Sequence, residues 1–286
     1  MERLDRAIRR ISREPRPLAF LASRLLWKTR LCRIFTIRRE SYRLRFFPTS
    51  YSANLWAQPE SEQFKNNFYK AYLRTSDTVV DVGANIGFTT LDAAVLVPDG
   101  MVLAFEPHPV IFQYLSANIR LNRVSNVRLS NIGLGEKETI DRITDLRADD
   151  QNRIGRDGTL EVRIRALDSV LEEVDGPVAL LKLDVEGFEK FVMEGAGRTL
   201  GRTQCVLFES NERRYQSMGY STCHVLALLV KHGLTPFKFD PGNKEFRQLA
   251  LCYRSNENEK LFAFSDLVLL RSRLGPEYSF TRLAGY

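Results

Sequence analysis

Residues 78–90 read T-V-V-D-V-G-A-N-I-G-F-T-T: a short apolar run that ends on an acid, then two glycines, then a helix-like start. Such a segment folds most simply as a buried strand, a turn and the first turn of a helix. Gly83 and Gly87 let the backbone of the turn come close to a ligand. In open α/β sheets, nucleotide-like ligands bind in the crevice at the carboxyl ends of the strands. The spacing Gly-x-x-x-Gly differs from the Gly-x-Gly-x-x-Gly of dinucleotide-binding chains, which sets a NAD-dependent dehydrogenase aside.

A second acid strengthens the reading. Met101–Phe105 is another apolar run, and Glu106-Pro107 follows it, 19 residues past Gly87. That interval holds one crossover helix. A carboxylate at the end of the second strand can accept hydrogen bonds from both hydroxyls of a ribose.

The rest of the chain continues the alternation. Strands are expected at 78–82, 101–105, 126–131, 178–184, 203–208, 234–239 and 266–271. Helices are expected at 61–73, 87–96, 109–122, 187–200 and 221–232. Residues 38–48 alternate as a further strand, and Leu160–Arg165 alternates inside an insertion running from Thr139 to Asp168. Repeated βα units predict an α/β fold with a mostly parallel sheet and helices on both faces. The chain divides into a basic arm (1–50) and a catalytic-looking domain (51–286, core 76–271).

Charge is unevenly placed. Residues 1–50 hold 14 Lys and Arg against 4 Asp and Glu, a net of +10, while the remainder carries a net of −3. The basic character therefore belongs to the arm, which argues against nucleic acid as the partner of the body. Placed on a helix, residues 17–36 put Leu18, Leu21, Leu25, Leu26 and Trp27 on or near one side, and Arg24, Lys28 and Arg30 largely on others. Such a helix either packs on the body or lies on an anionic membrane surface, so peripheral membrane contact through residues 1–40 is left open. No stretch approaches a membrane span, no secretory cleavage site follows, and the expected location is cytoplasmic. The four cysteines form no Cys-x-x-Cys pair and the three histidines are scattered, which excludes a zinc ribbon, a disulfide framework and a His-rich metal centre.

Taken together the motifs resemble one family. D-V-G-A-N-I-G at 81–87, F-E-P-H-P at 105–109, N-x-x-L-N at 118–122, L-D at 167–168 and K-L-D-V-E-G-F-E at 182–189 resemble those of FkbM-type methyltransferases, which depend on S-adenosylmethionine (SAM). The likeness runs from about Phe64 to Gly195, with weaker echoes to about Arg271. One departure is Thr75-Ser76-Asp77, where the family often has Pro-Gly-Asp. The resemblance implies a Rossmann-like seven-stranded sheet with SAM as cofactor. It places Gly83, Ala84, Asn85 and Gly87 beneath the methionine part and Asp81 at its amino group. Phe88 opens the helix beneath, Glu106 and Pro107 lie at the ribose, and Ser130 and Asn131 at the adenine edge. Asn118 and Asn122 either serve the site or buttress a helix.

Lys182-x-Asp184-x-Glu186 is the main catalytic candidate, because strand alternation would put all three on one side. Asp184 or Glu186 would orient or deprotonate an acceptor hydroxyl. The alternative is a Lys182–Asp184 or Lys182–Glu186 pair that fastens the sheet. Glu209 ends a later apolar run beside the same crevice, and Asp184, Glu209 and Asn211 would make an oxygen-ligand Mg²⁺ site, which is left open. Glu189 reads as a helix-entry charge and His108 as a rim residue. The expected activity is O-methylation of a small-molecule or glycan acceptor: a saccharide, glycoconjugate or natural product. Alternatives are a nucleic-acid methyltransferase using the arm, or a non-catalytic membrane-associated binding protein of the same fold.

Overall fold

A computed structural model describes residues 15–60, 62–146, 151–256 and 258–283. In chain order its elements are α1 (Pro17–Thr29), β1 (Thr36–Arg38), β2 (Arg43–Arg45), α2 (Ser50–Ala57), α3 (Gln63–Tyr72), β3 (Thr78–Val82), α4 (Phe88–Ala94), β4 (Met101–Phe105) and α5 (Pro109–Asn122). Then come β5 (Val127–Ser130), β6 (Gly133–Leu134), β7 (Thr139–Ile143), β8 (Leu160–Arg165), α6 (Leu167–Val170), β9 (Val178–Leu183), α7 (Glu189–Glu194) and α8 (Gly197–Leu200). The chain closes with β10 (Thr203–Ser210), α9 (Glu212–Ser217), α10 (Thr222–Lys231), β11 (Thr235–Asp240), β12 (Glu245–Gln248), β13 (Glu259–Phe264), α11 (Leu267–Leu274) and β14 (Ser279–Thr281).

The main sheet has the order β14-β12-β11-β13-β10-β9-β3-β4-β5. Strands β5, β4, β3, β9 and β10 are parallel, and β13 runs antiparallel to both of its neighbours. The expected seven-stranded sheet is therefore present from β5 to β11, and β12 and β14 extend its edge. The central strands are buried along nearly their whole length, as a sheet covered on both faces requires. One apolar layer joins Leu181, Leu183, Val206 and Phe208 to α7 and α10. The other joins Val79, Leu180 and Leu207 to the aromatic face of α3, where Phe68 stacks on Tyr72.

Sequence and structure part at several places. The expected strand at 266–271 is α11. Asp266 caps it by accepting from the backbone N–H of Val268 at 2.7 Å, and the strand that fills this place in the sheet lies just upstream at Glu259–Phe264. The expected helix 187–200 breaks into α7 and α8 at Gly195. The strand at 38–48 is a hairpin of β1 and β2. The insertion folds as a separate sheet in the order β6-β8-β7. Cys32, Ile37, Tyr42, Leu44 and Phe46 share a core with Ile86, Phe88 and Leu115, so this part of the arm is built into the body. Asn118 and Asn122 fasten it there: Asn118 Oδ1 accepts from the Arg45 backbone at 2.8 Å, and Asn122 Oδ1 from the Arg43 backbone at 2.9 Å. No helix among the described residues is long and apolar enough to cross a membrane.

Gly83 illustrates how tightly the strand ends meet. Its φ is +75°, and a Cβ there would stand 2.0 Å from the backbone oxygen of Asp184. Backbone on neighbouring strands cannot yield as a side-chain tip can. Gly83→Ala is expected to cost at least about 3 kcal/mol of stability, read as a drop in the midpoint of urea unfolding.

Candidate functional site

The carboxyl ends of β3, β4, β9 and β10 open onto a cavity of about 340 Å³. One flank is formed by Gly83, Ala84, Asn85, Phe105, Glu106 and Pro107, with Ile132, Gly133 and Leu134 beyond them. The other is formed by Glu62, Lys65, Asp184, Glu186, Glu209, Arg214, Asn258 and Lys260. Ile143 and residues 151–154 of the insertion complete the wall.

Glu106 is the fixed point of the first flank. Its Oε2 accepts from the backbone N–H of Asn85 and its Oε1 from that of His108, both at 2.9 Å. Each oxygen keeps further acceptor capacity, enough for a vicinal diol in the cavity. Asn85 sits at φ +48°, and its side chain accepts from the N–H of Ile86 at 2.7 Å. Burial pushes the Glu106 carboxyl up to about 7, against the pull of its two backbone donors and of Lys182.

Asp81 is placed differently from the sequence expectation. It does not line the cavity and is only 1% exposed. Its Oδ1 lies 3.0 Å from Lys182 Nζ, and its Oδ2 accepts from the hydroxyls of Thr89 and Thr90 at 2.8 and 2.7 Å. It locks β3 to β9 and to the start of α4, and has no free oxygen facing a cofactor amine. Lys182 is the other half of that lock. Its Nζ also donates to the carbonyls of Gly83 at 2.6 Å and Val82 at 3.3 Å, so its three protons are taken. Lys182 therefore fastens the sheet, but its partner is Asp81 and not the expected Asp184 or Glu186.

Other positions also shift. Gly87 turns the chain into α4 at φ +91° and does not line the cavity, whereas Phe88 does, with the Arg39 guanidinium 4.8 Å above its ring. Ser130 and Asn131 do not line it either. Asn131 Nδ2 donates to the carbonyls of Glu106 at 2.8 Å and Pro107 at 3.0 Å, and the wall there is made by the residues that follow. β9 ends at Leu183, so alternation does not carry Lys182, Asp184 and Glu186 to one side. Glu186 lies in a turn at φ +58° and pairs with Arg214.

The second flank is a chain of ion pairs. Lys65, only 6% exposed, lies 3.0 Å from Glu62 and 3.6 Å from Asp184. Lys260, opposite Glu209 in the β10–β13 register, pairs with Glu209 and lies 3.6 Å from Asp184. Burial alone would raise the Asp184 carboxyl, but Lys260, Lys182 and Lys65 together hold it well below the usual range. Burial pulls the Lys260 ammonium down to about 8; Lys65 and Lys182 add to that, while Asp184 and Glu62 oppose it. Lys65 stays above its ordinary value, because Glu62 and Asp184 outweigh its burial.

Neither lysine was singled out from the sequence. A signal existed for Lys65, which sits with Phe68, Tyr69 and Tyr72 at i, i+3, i+4 and i+7 and so occupies a buried stripe. Lys260 was hidden because its strand was placed too far downstream. These cations also bear on the Mg²⁺ expectation. Oxygens of Asp184, Glu186 and Glu209 do come within 4.8 Å of one another. Each carboxylate already has a lysine or arginine, however, and Asn211 caps α9 while donating to Asn258. The residues do not fit a divalent ion without displacing Lys260 and Arg214.

Glu189 is more than a helix-entry charge. It is buried, its Oε1 accepts from the Val185 backbone at 3.1 Å, and burial pushes its carboxyl up to about 7. An acid raised in the folded state stabilises it below the unfolded value, and that stability is lost as pH rises through about 7, to the extent of about 3 kcal/mol. The melting temperature of Glu189→Gln relative to wild type is therefore expected to rise between about pH 5 and about pH 8, followed by calorimetry.

Comparison with known proteins identifies one family. The "Methyltransferase FkbM domain" family matches residues 81–235, more than half of the chain. Among relatives, "Methyltransferase 1" of Beauveria bassiana is 31% identical over 142 residues, covering 41% of this chain and 57% of that protein. The "31-O-demethyl-FK506 methyltransferase FkbM" of Streptomyces tacrolimicus is 42% identical over 72 residues, covering 25% of this chain and 27% of that protein. The matched stretches thus span about half or less of these relatives. A looser likeness, with a TM-score of 0.46 and 14% identity over 86% of this chain and 58% of the other, is to the solved methyltransferase FkbM of Methylobacillus flagellatus. A family match that starts on the acid locking β3 and runs through β9 and β10 to the start of β11 takes in the strand ends that build the cavity, and the chain belongs to the FkbM methyltransferases.

Proposed function

We propose that the cavity binds SAM along its Glu106 flank and methylates an acceptor hydroxyl at its lysine–carboxylate flank. The observation that carries this is one cavity bordered by both groups. β4 and β10 stand three strand spacings apart, about 14 Å, so the two chemistries are adjacent without overlapping. The residues present fit the cofactor: Glu106 for the ribose hydroxyls, Phe105, Ile132 and Leu134 for an apolar ring, and the backbone of Gly83–Asn85 for the amino-acid portion. When bound, SAM supplies an electrophilic methyl group.

The chain's own residues align the acceptor and remove its proton. Asp184, ionised and surrounded by lysines, is a weak base suited to receiving a hydrogen bond. Lys260 is the stronger base of the two: its ammonium, ion-paired with Glu209 at neutral pH, is pulled by burial down to about 8, and the amine formed as pH rises through that value takes the hydroxyl proton. Lys65 keeps the flank cationic while that happens. The charged wall favours a hydroxyl-bearing acceptor such as a saccharide, glycoconjugate or oxygenated natural product. The printed name of the Streptomyces relative, an O-demethyl-compound methyltransferase, supports oxygen as the target.

The test is transfer of labelled methyl from SAM to a panel of saccharides, polyols and polyketide alcohols. Products stable to mild alkali, as ethers are, would support the reading; label recovered only on nitrogen or as labile esters would sink it. With an accepted substrate, the rate is expected to climb with pH toward a plateau above about 8, because the neutral amine is the active form. Lys260→Met is expected to lower the maximal rate by about 10²–10⁴ while leaving affinity for S-adenosylhomocysteine (SAH) within a few-fold.

A further inference from the structure

The helix α1 has two apolar faces, and only one is used. Phe20 and Ser23 turn inward, and Trp27 donates its Nε1–H to the Pro48 carbonyl at 2.8 Å. Leu18, Leu21 and Leu25, at i, i+3 and i+7, form a second stripe that is 81%, 45% and 64% exposed. The turn after the helix continues it: Leu31 and Ile34, three residues apart in a 3₁₀ turn, are 55% and 78% exposed while Cys32 between them is buried. Five large aliphatic side chains on one short segment are more than the scattered exposure expected of a surface.

The charge around this stripe identifies its partner. Between Pro15 and Thr36 the sequence has Arg16, Arg24, Lys28, Arg30 and Arg33 and no acid. Lys28, Arg30 and Arg33 are exposed and line a cleft of about 430 Å³ with Trp27 and Tyr114, three cations against the one acid, Asp145, that the cleft contains. A second copy of the same face would set cation against cation, which disfavours a self-association here. Residues 1–14, with five arginines and three acids, carry the same sign. An anionic bilayer supplies what both features lack, acyl chains for the leucines and headgroup phosphates for the cations.

We infer that the outward face of Leu18–Ile34 is a docking surface for an anionic lipid bilayer. The surface lies outside the cavity, and the inference does not rest on the methyl-transfer reading. It places the chain at a membrane surface through a helix too short to span one.

The experiment is flotation of the full chain with vesicles of phosphatidylcholine alone and of phosphatidylcholine mixed with phosphatidylglycerol. The chain is expected to float with the mixed vesicles, to stay behind with the neutral ones, and to be released by high salt. Leu21→Glu/Leu25→Glu/Ile34→Glu should lower the bound fraction more than about tenfold. Arg30→Gln/Arg33→Gln should lower it about fivefold per cation. These side chains are exposed, so circular dichroism and melting temperature should match wild type. No flotation, flotation unchanged by the triple substitution, or a concentration-dependent dimer dissolved by that substitution would each overturn the inference.

Discussion

Glu106→Ala is expected to abolish the rise in melting temperature that SAH gives the wild type. In the proposed binding mode the carboxylate accepts from two ribose hydroxyls, and hydrogen bonds to a charged group contribute about 1.5–3 kcal/mol each, so affinity should fall by about 10²–10⁴. A ligand stabilises in proportion to ln(1 + L/Kd), with L its free concentration, so with Kd raised that far the shift should nearly vanish at SAH concentrations that just saturate the wild type. The substitution also strips the N–H groups of Asn85 and His108 of their acceptor, so the unliganded variant should itself melt somewhat lower. Glu106→Gln separates the two effects. It keeps an oxygen for one backbone donor but offers no charge to the diol, and should fold better than the alanine variant while still binding SAH weakly.

Lys182→Met should be the most destabilising conservative change in the centre of the sheet. It leaves Asp81 nearly inaccessible and supported only by Thr89 and Thr90. Removing one member of a buried pair costs about 3–5 kcal/mol, because the remaining charge has neither water nor partner. For a chain of this size that is a fall of about 6–20 °C in melting temperature. Lys182→Met/Asp81→Asn removes the stranded charge as well and should recover part of the loss. An additive or larger deficit in the double variant would show that the two side chains are not coupled. If Lys182 were instead a catalytic group, the single variant would melt like wild type.

The parts of the fold legible in the sequence are those where local pattern and tertiary demand coincide. β3 and β4 are short apolar runs that meet an acid and then a turn, a pattern that a buried strand satisfies. The acids that close strands could be found in the same way, and Glu106, Asp184 and Glu209 all border the cavity. Their partners could not be found, since ion pairing joins residues far apart in the chain: Asp81 to Lys182, Asp184 to Lys65, Glu209 to Lys260. The direction of Asp81 depends on a lysine 101 positions away. Near the carboxyl end, the Leu267–Leu270 run is equally apolar as strand or helix. Asp266 before it and Arg271 and Arg273 after it carry the helical signal, and these end charges outweighed the apolar run. α1 is legible as amphipathic, but which of its faces is covered depends on how α2 and the Pro48 turn before it pack against the helix.

The central claim is that the cavity at the ends of β3, β4 and β9 binds the cofactor through a carboxylate whose ionisation burial opposes. Calorimetric titration of SAH into the wild-type chain from about pH 6 to about pH 8 tests both halves, because diol donors favour the ionised acid and must displace its proton below about 7. The account predicts micromolar binding at the upper end and about tenfold weaker binding, with proton release to the buffer, at the lower end. Absence of binding across the range, or affinity that rises as pH falls, would contradict it.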